Sequence, residues 1–408
     1  LSSISTVSSI KQNNNKKFFK IRPPNLTYSI SINRFLSFNG NFYPYCTIMV
    51  KHSYLHQALN VHDVYNNIAF IFLLLTLMSE YVVNSQDPDV RMFKLLTSQE
   101  ITNELKNLSK EYPRLCSLTT SQKAFGLTTA GGLDDCIFDK NEGCNNYFLT
   151  IEDKIAHPFD SESYQSLPEV FLSGAVHGNE RVGPTTVVET AKLLLEAAWC
   201  EGMPSVLQAP ADVNTEEGAE WLLQAEKGQD CRNDLKRRGI KDHQRQWLAR
   251  LVTTRRIVVI PTANALGYDR SKREEDNIDP NRDFPFDILD PTQCMKSIAG
   301  RTINEIFRQH MFQIALTFHG GTEVVSYEWG APTYNHVDSP DDKAQVEIGD
   351  GYSRFAGGFE GTKAYISGTM NDLVYAVRGG MVSRKLLTRV PSLIQKSQLF
   401  HLMFTYNN

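Results

Sequence analysis

No stretch of this 408-residue chain stays apolar for the roughly 20 residues that a membrane-crossing helix needs. The longest such run, Ile68–Met78, is eleven residues. That length excludes a stable span and suits the core of a secretion signal, with Val83 and Ser85 at −3 and −1 of a cleavage site before Gln86. A signal anchor and a buried helix are the alternatives. Basic clusters are missing too. Forty-two Lys and Arg stand against 46 Asp and Glu, for a net charge of −4, so nothing points to nucleic acid. No Cys-x-x-Cys pair occurs among the seven cysteines, which argues against a cysteine zinc site. Cys136 and Cys144, and Cys200 and Cys231, are near enough in sequence to pair in an oxidising compartment; buried thiols are the alternative, and connectivity stays open. There is no methionine before Met49. Residues 1–48, rich in Ser, Asn and Lys, are therefore expected to be a disordered or mispredicted leader, and 49–85 a signal peptide. Finally, residues 382–408 contain no Asp and no Glu.

What is present is the composition of a soluble globular protein, 41% apolar and 22% charged, with room for one large α/β domain. The folded region is expected to begin near Met92. Thr97-Ser98-Gln99-Glu100 reads as a capping box. Behind it Ile101, Leu105 and Leu108 share a helical face, and Pro113 lies past the end. Tyr147–Ile151 and Ile257–Ile260 read as strands. Helices are expected from Gly183-Pro184 to about Trp199 and from Ala299 to His310. Residues 203–230 read as a long loop or an inserted helix. Alternating strand and helix patches predict an α/β fold with a mixed, mostly parallel sheet flanked by helices. Asn107-Leu108-Ser109 is a glycosylation acceptor if the chain is secreted.

Two apolar runs end in histidine. Val170–Val176 leads to His177, with Glu180 three residues on, and Ile314–Phe318 leads to His319. In an open α/β sheet the C-terminal strand edge is where ligands bind. Two imidazoles and a carboxylate hold a metal at three points and leave a fourth open, the pattern of a catalytic zinc site. Alone, a His-x-x-Glu is equally a surface loop. Asp276 and Asp279 read as turn formers, and His157, His243, His310 and His336 as surface or core residues.

Three more patches accompany His177-Gly178-Asn179-Glu180: Asp279-Pro280-Asn281-Arg282-Asp283-Phe284-Pro285, His319-Gly320-Gly321-Thr322-Glu323, and Ser367 to Tyr375. In that order they resemble the zinc metallocarboxypeptidases of the carboxypeptidase A and E/N/D groups, over about Met92 to Met381. The resemblance implies one Zn²⁺ per chain on His177, Glu180 and His319. It implies Asn281 and Arg282 as the grip on the terminal carboxylate of a peptide, which the planar guanidinium fork suits. It further implies Arg273 as the oxyanion group, with Arg270 as fallback, and Tyr375 as a tyrosine closing over the substrate. The partners so implied are peptide or protein C-termini, met by a monomer.

After Met381 the family pattern stops. A general-base Glu and further strands are expected downstream, and the chain instead reads Val382-Ser383-Arg384-Lys385. The expectation is a domain incomplete at its C-terminus, as read-through of a splice donor would give, with 382–408 an unrelated tail and a sheet edge left bare. The chain would then be either a peptidase or a remnant that binds zinc and peptide C-termini. An aspartoacylase-type amidohydrolase shares His-Gly-Asn-Glu and is the further alternative.

Overall fold

The computed structural model describes residues 94–139, 143–204, 215–286, 291–355 and 365–381, with the backbone of 18–19, 30–33, 45–48 and 400–406. The signal segment, the start at Met92 and residues 382–399 lie outside them. Residues 1–61 and 62–408 are separate units. The first holds an antiparallel sheet of β1 (Phe18–Phe19), β2 (Ile30–Asn33) and β3 (Tyr45–Ile48). These strands fall within the residues expected to be a leader. Aromatic and β-branched residues at these positions favour pleated backbone despite the polar surroundings.

The second unit is built on a mixed eight-stranded sheet. Its strands are β4 (Cys116–Thr120), β5 (Tyr147–Ile151), β6 (Glu169–Ser173), β7 (Arg256–Ile260), β8 (Phe312–Gly320), β9 (Val324–Tyr327), β10 (Ile366–Thr369) and β11 (Phe400–Tyr406). Their order is β10-β9-β11-β8-β6-β7-β5-β4. The central β11, β8, β6 and β7 run parallel, and β5 and β4 turn antiparallel at one side.

Strand alternation sorts the core. Val170 and Leu172 of β6 face one side of the sheet with Ile257 and Val259 of β7, while Phe171 and Val258 face the other. Burying each of these side chains contributes roughly 1.5–3 kcal/mol. The first side is covered by α1 (Ser98–Glu111), α2 (Val182–Gly202) and α4 (Asp242–Thr254), the last two separated in sequence by α3 (Glu216–Arg237). The second side takes α5 (Ile298–Gln309), through Ile303, Ile306 and Phe307. A sixth helix, α6 (Asp342–Phe355), lies near β9 and β10. The capping box of α1 forms as read, with Thr97 accepting from the Glu100 amide. In place of the long loop there is α3, with Thr215 capping the Gly218 amide, Glu216 and Glu217 in its first turn and Lys236 and Arg237 in its last.

Two differences bear on the site. β6 ends at Ser173 rather than running to Val176, because Ala175 turns into positive φ of 44°. The segment expected to be an unrelated tail contributes β11, which inserts between β8 (parallel) and β9 (antiparallel). The sheet is therefore continuous there instead of ending in a bare edge. A strand-wide gap would have left two rows of backbone donors and acceptors unpaired, which is costly.

Candidate metal centre and ligand loop

Adjacent parallel strands bring the two histidines together. Ser173 of β6 is in register with Thr317 of β8, and their hydroxyls hydrogen bond at 2.9 Å. His319 lies two residues beyond Thr317, and His177 lies four beyond Ser173 on the turn into α2. That turn packs tightly. A Cβ on Gly178 would fall 2.0 Å from the Gly267 carbonyl carbon, so only glycine fits. The Gly178 amide in turn donates to the Arg273 carbonyl at 3.3 Å, tying the His177 turn to the loop of residues 270–283.

His177, Glu180 and His319 are all buried, and their potential ligand atoms lie within 4.8 Å of one another. His177 Nδ1 is 2.7 Å from Glu180 Oε1, His319 Nδ1 is 2.9 Å from Glu180 Oε2, and the two Nδ1 atoms are 3.2 Å apart. Ligands about 2.0–2.1 Å from a tetrahedral zinc stand roughly 3.3 Å apart, so this set fits one such ion. A cation at its centre satisfies two imidazole nitrogens and a carboxylate that otherwise crowd one another. Of the groups expected to meet here, these three do.

Asp279, read from the sequence as a turn former, does more. Its Oδ1 sits 3.1 Å from His177 Nε2 and accepts the Asn281 amide at 2.9 Å. Its Oδ2 takes Arg273 through Nε at 3.0 Å and a terminal nitrogen at 2.9 Å. One carboxylate thus orients the imidazole with Nδ1 toward the cluster and aims the arginine. The signal available in the sequence was the Asp immediately before Pro280-Asn281-Arg282. Asp276 is the turn former, at φ 45°. The two arginines are placed differently. Arg273 stands with its second terminal nitrogen 3.8 Å from Glu180 Oε1, whereas Arg270 turns away to Asp135 and Asp276.

Burial penalises every charge here, and the neighbours oppose it. It pulls His177 down, but Asp279 and Glu180 outweigh it and raise the imidazole above its ordinary value. It raises Glu180, but His319 and His177 hold that carboxyl far below the carboxylate range. Asp279 is likewise depressed against burial by His177, Arg273 and Arg282. For His319 burial wins, and the imidazole is lowered.

Asn281 is buried, with its side-chain carbonyl accepting the Met381 amide at 2.9 Å. That bond occupies the oxygen and leaves the NH2 end of the side chain to donate to a ligand. The Gly379-Gly380-Met381 turn is pressed onto this loop. Gly379 has φ 72°, a Cβ there would meet the Arg282 carbonyl at 2.2 Å, and its own carbonyl takes the Phe284 amide at 2.9 Å. Arg282 donates to the Tyr375 hydroxyl at 3.3 Å, its guanidinium 5.7 Å from the centre of a ring that is 49% exposed. Remote histidines are structural, as expected: His157 bonds the Thr253 carbonyl and His310 the Glu169 carboxylate.

Residues 240–388 match the family model described as zinc carboxypeptidase. That stretch is similar to the zinc carboxypeptidases. The match includes Arg273, Asp279, Asn281, Arg282, His319 and Tyr375 and runs past Met381, while His177 and Glu180 precede it. Among solved structures, carboxypeptidase A from Helicoverpa armigera is 16% identical, with 90% of this chain and 74% of that one covered at a TM-score of 0.45. Bovine thrombin-activatable fibrinolysis inhibitor, in complex with tick carboxypeptidase inhibitor, is 12% identical over 76% and 86% of the chains, with TM-score 0.45. An aspartoacylase family protein from Mesorhizobium loti is 15% identical over 71% and 61%, with TM-score 0.35. No curated protein matches.

Proposed function

We propose that this chain is a zinc metallocarboxypeptidase, acting as a monomer on the C-terminal peptide bond of peptides and proteins. The observation that carries the reading is the convergence of His177, Glu180 and His319 beside a loop bearing Arg273, Asn281 and Arg282. Zinc, when bound, polarises the scissile carbonyl and acidifies a water. Asp279 keeps His177 in the orientation that points Nδ1 at the cluster. Arg282 and the Asn281 amide take the terminal carboxylate, which would displace the Tyr375 hydroxyl from Arg282 and let that exposed ring close over the substrate. Arg273, aimed by Asp279, meets the oxyanion that develops at the carbonyl.

One observation favours a second reading. β11, placed beside β8 at the edge that carries His319, is Phe-His-Leu-Met-Phe-Thr-Tyr and offers no carboxylate. Hydrolysis calls for a general base, and without one the chain binds zinc and peptide C-termini without turnover. The likeness at His-Gly-Asn-Glu keeps an aspartoacylase-type amidohydrolase as the third.

The test is the zinc-loaded chain on blocked dipeptides and on N-acyl amino acids, with and without chelator. Release of the C-terminal residue, stopped by chelator and restored by zinc, supports the peptidase. Carboxylate binding without release identifies the binding protein, and release from N-acyl amino acids alone the acylase. Failure to bind zinc overturns all three.

The secretory pathway is the location this reading implies. The pairing of Cys136 with Cys144 and of Cys200 with Cys231 supports it, as does the exposed position of Asn107 on α1. Among the described residues no helix is long and apolar enough to cross a membrane.

A further inference from the structure

The loop of residues 270–283 carries Arg273, Asp279, Asn281 and Arg282, yet its only regular elements are an isolated bridge between Glu275 and Ile278 and a single 3-10 turn at Pro280–Arg282. Something must hold it to within a fraction of an ångström if it is to meet a ligand at the metal cluster. Two buried carboxylates on the loop supply the hold, and both reach the same place. Glu275, 3% exposed, accepts the amides of Ile298 and Ala299, the latter at 3.0 Å. Asp283, also 3% exposed, accepts the Lys296 amide at 3.0 Å and both the amide and hydroxyl of Ser297 at 2.7 Å. Ser297 caps α5 through the Gly300 amide at 2.9 Å. The loop is thus pinned, on both sides of Asp279, to the first turn of α5.

That turn is a stiff support. α5 is fixed to the sheet by fully buried Ile303 and Ile306, and Thr302 hydrogen bonds Ser121, just past the end of β4. Its first amides have no partner within the helix, and the helix dipole favours a negative group there. Burial nonetheless pushes the Glu275 carboxyl up to about 7 against the pull of its two amide donors. So much desolvation is tolerated because the hydrogen bonds are made; a side chain serving only solubility would not lie here.

We propose that Glu275 and Asp283 are positioning residues: by clamping the 270–283 loop to the N-terminus of α5, they set Arg273, Asn281 and Arg282 relative to the His177–Glu180–His319 cluster. Neither side chain bonds a metal ligand or the side chains of Asn281 and Arg282, so their effect is on placement. The inference rests on the proposed function for the identity of the ligand, but not for the clamp.

The test uses the full zinc-loaded chain and its E275A, E275Q and D283N variants. The probe is a blocked dipeptide with a free C-terminal carboxylate, run beside its C-terminal amide. Loss of a clamp bond is expected to weaken carboxylate binding by about 10-fold, the scale of a charge-assisted hydrogen bond. Zinc affinity should fall less than carboxylate affinity, since the three ligands sit on other elements and the loop reaches them only through Asp279 and the Arg273 carbonyl. The loop amides of Ile278 and Arg282 should exchange hydrogen faster in the variants, with β6, β7 and β8 unchanged. E275Q, which keeps one acceptor, should lie between wild type and E275A, and decides the matter if E275A does not fold. Carboxylate affinity and loop exchange both unchanged in E275Q and D283N would overturn the clamp. If the wild type binds dipeptide and amide alike, the reading of Asn281 and Arg282 falls, and loop exchange alone then upholds or overturns the clamp.

Discussion

Asp279 shows how much a single side chain can coordinate. Its two oxygens serve an imidazole, an arginine and a backbone amide at once. Replacing it by Asn keeps the size but removes an acceptor and the charge. Carboxylates that orient a metal-bound histidine are typically worth 10–100-fold in metal affinity. Asp279→Asn is therefore expected to weaken zinc binding by about that factor, read by competition with a chelating dye, whereas Asp276→Asn should leave it unchanged. Gly178 makes the complementary case for the absence of a side chain. Gly178→Ala would place its methyl 2.0 Å from the Gly267 carbonyl carbon, far inside van der Waals contact, and push the His177 turn away from the cluster. Loss of stoichiometric zinc binding in a variant whose circular dichroism is unchanged is the expected result.

At the scale of elements, the end of the sheet opposite the metal is tied by charge. Arg256 of β7 bonds Glu152 at 2.7 Å and Glu169 of β6 at 2.6 Å, all three buried, and Glu169 also takes His310 and the Met311 amide. Removing one member leaves the others buried and uncompensated, so Arg256→Met is expected to cost about 3–5 kcal/mol of unfolding free energy in a denaturant titration. Burial raises Glu169, but His310 and Arg256 outweigh it and lower its carboxyl below the ordinary value of 4.5. A group depressed in the folded state contributes stability above its unfolded pKa and loses it as pH falls through the folded one. The wild type should accordingly lose stability as pH drops below about 4.5, and Glu169→Gln should show less of that slope.

At the scale of the whole molecule, two disulfides among the described residues brace parts that the sheet does not hold. Cys200–Cys231 joins the end of α2 to α3 across 31 residues, and a bridge of that span contributes about 2–4 kcal/mol. Reductant, or Cys231→Ser, should lower the unfolding midpoint accordingly without changing zinc stoichiometry, because His177 enters α2 from its other end. The grouping of His177, Glu180 and His319 was legible in the order of residues, since all three follow buried apolar runs. So were most central strands and the helices that flank them, because burial imposes a period that a linear reading detects. Three matters were settled only by folding. Arg273 lies against Asp279 and Arg270 against Asp135, contacts that span the loop and the disulfide region. Asp279 became more than a turn residue because a histidine 102 positions away lies against it. Residues 400–406 became a strand between β8 and β9, since strand pairing depends on which backbone edges stand open in space, and a one-dimensional pattern carries no record of those edges.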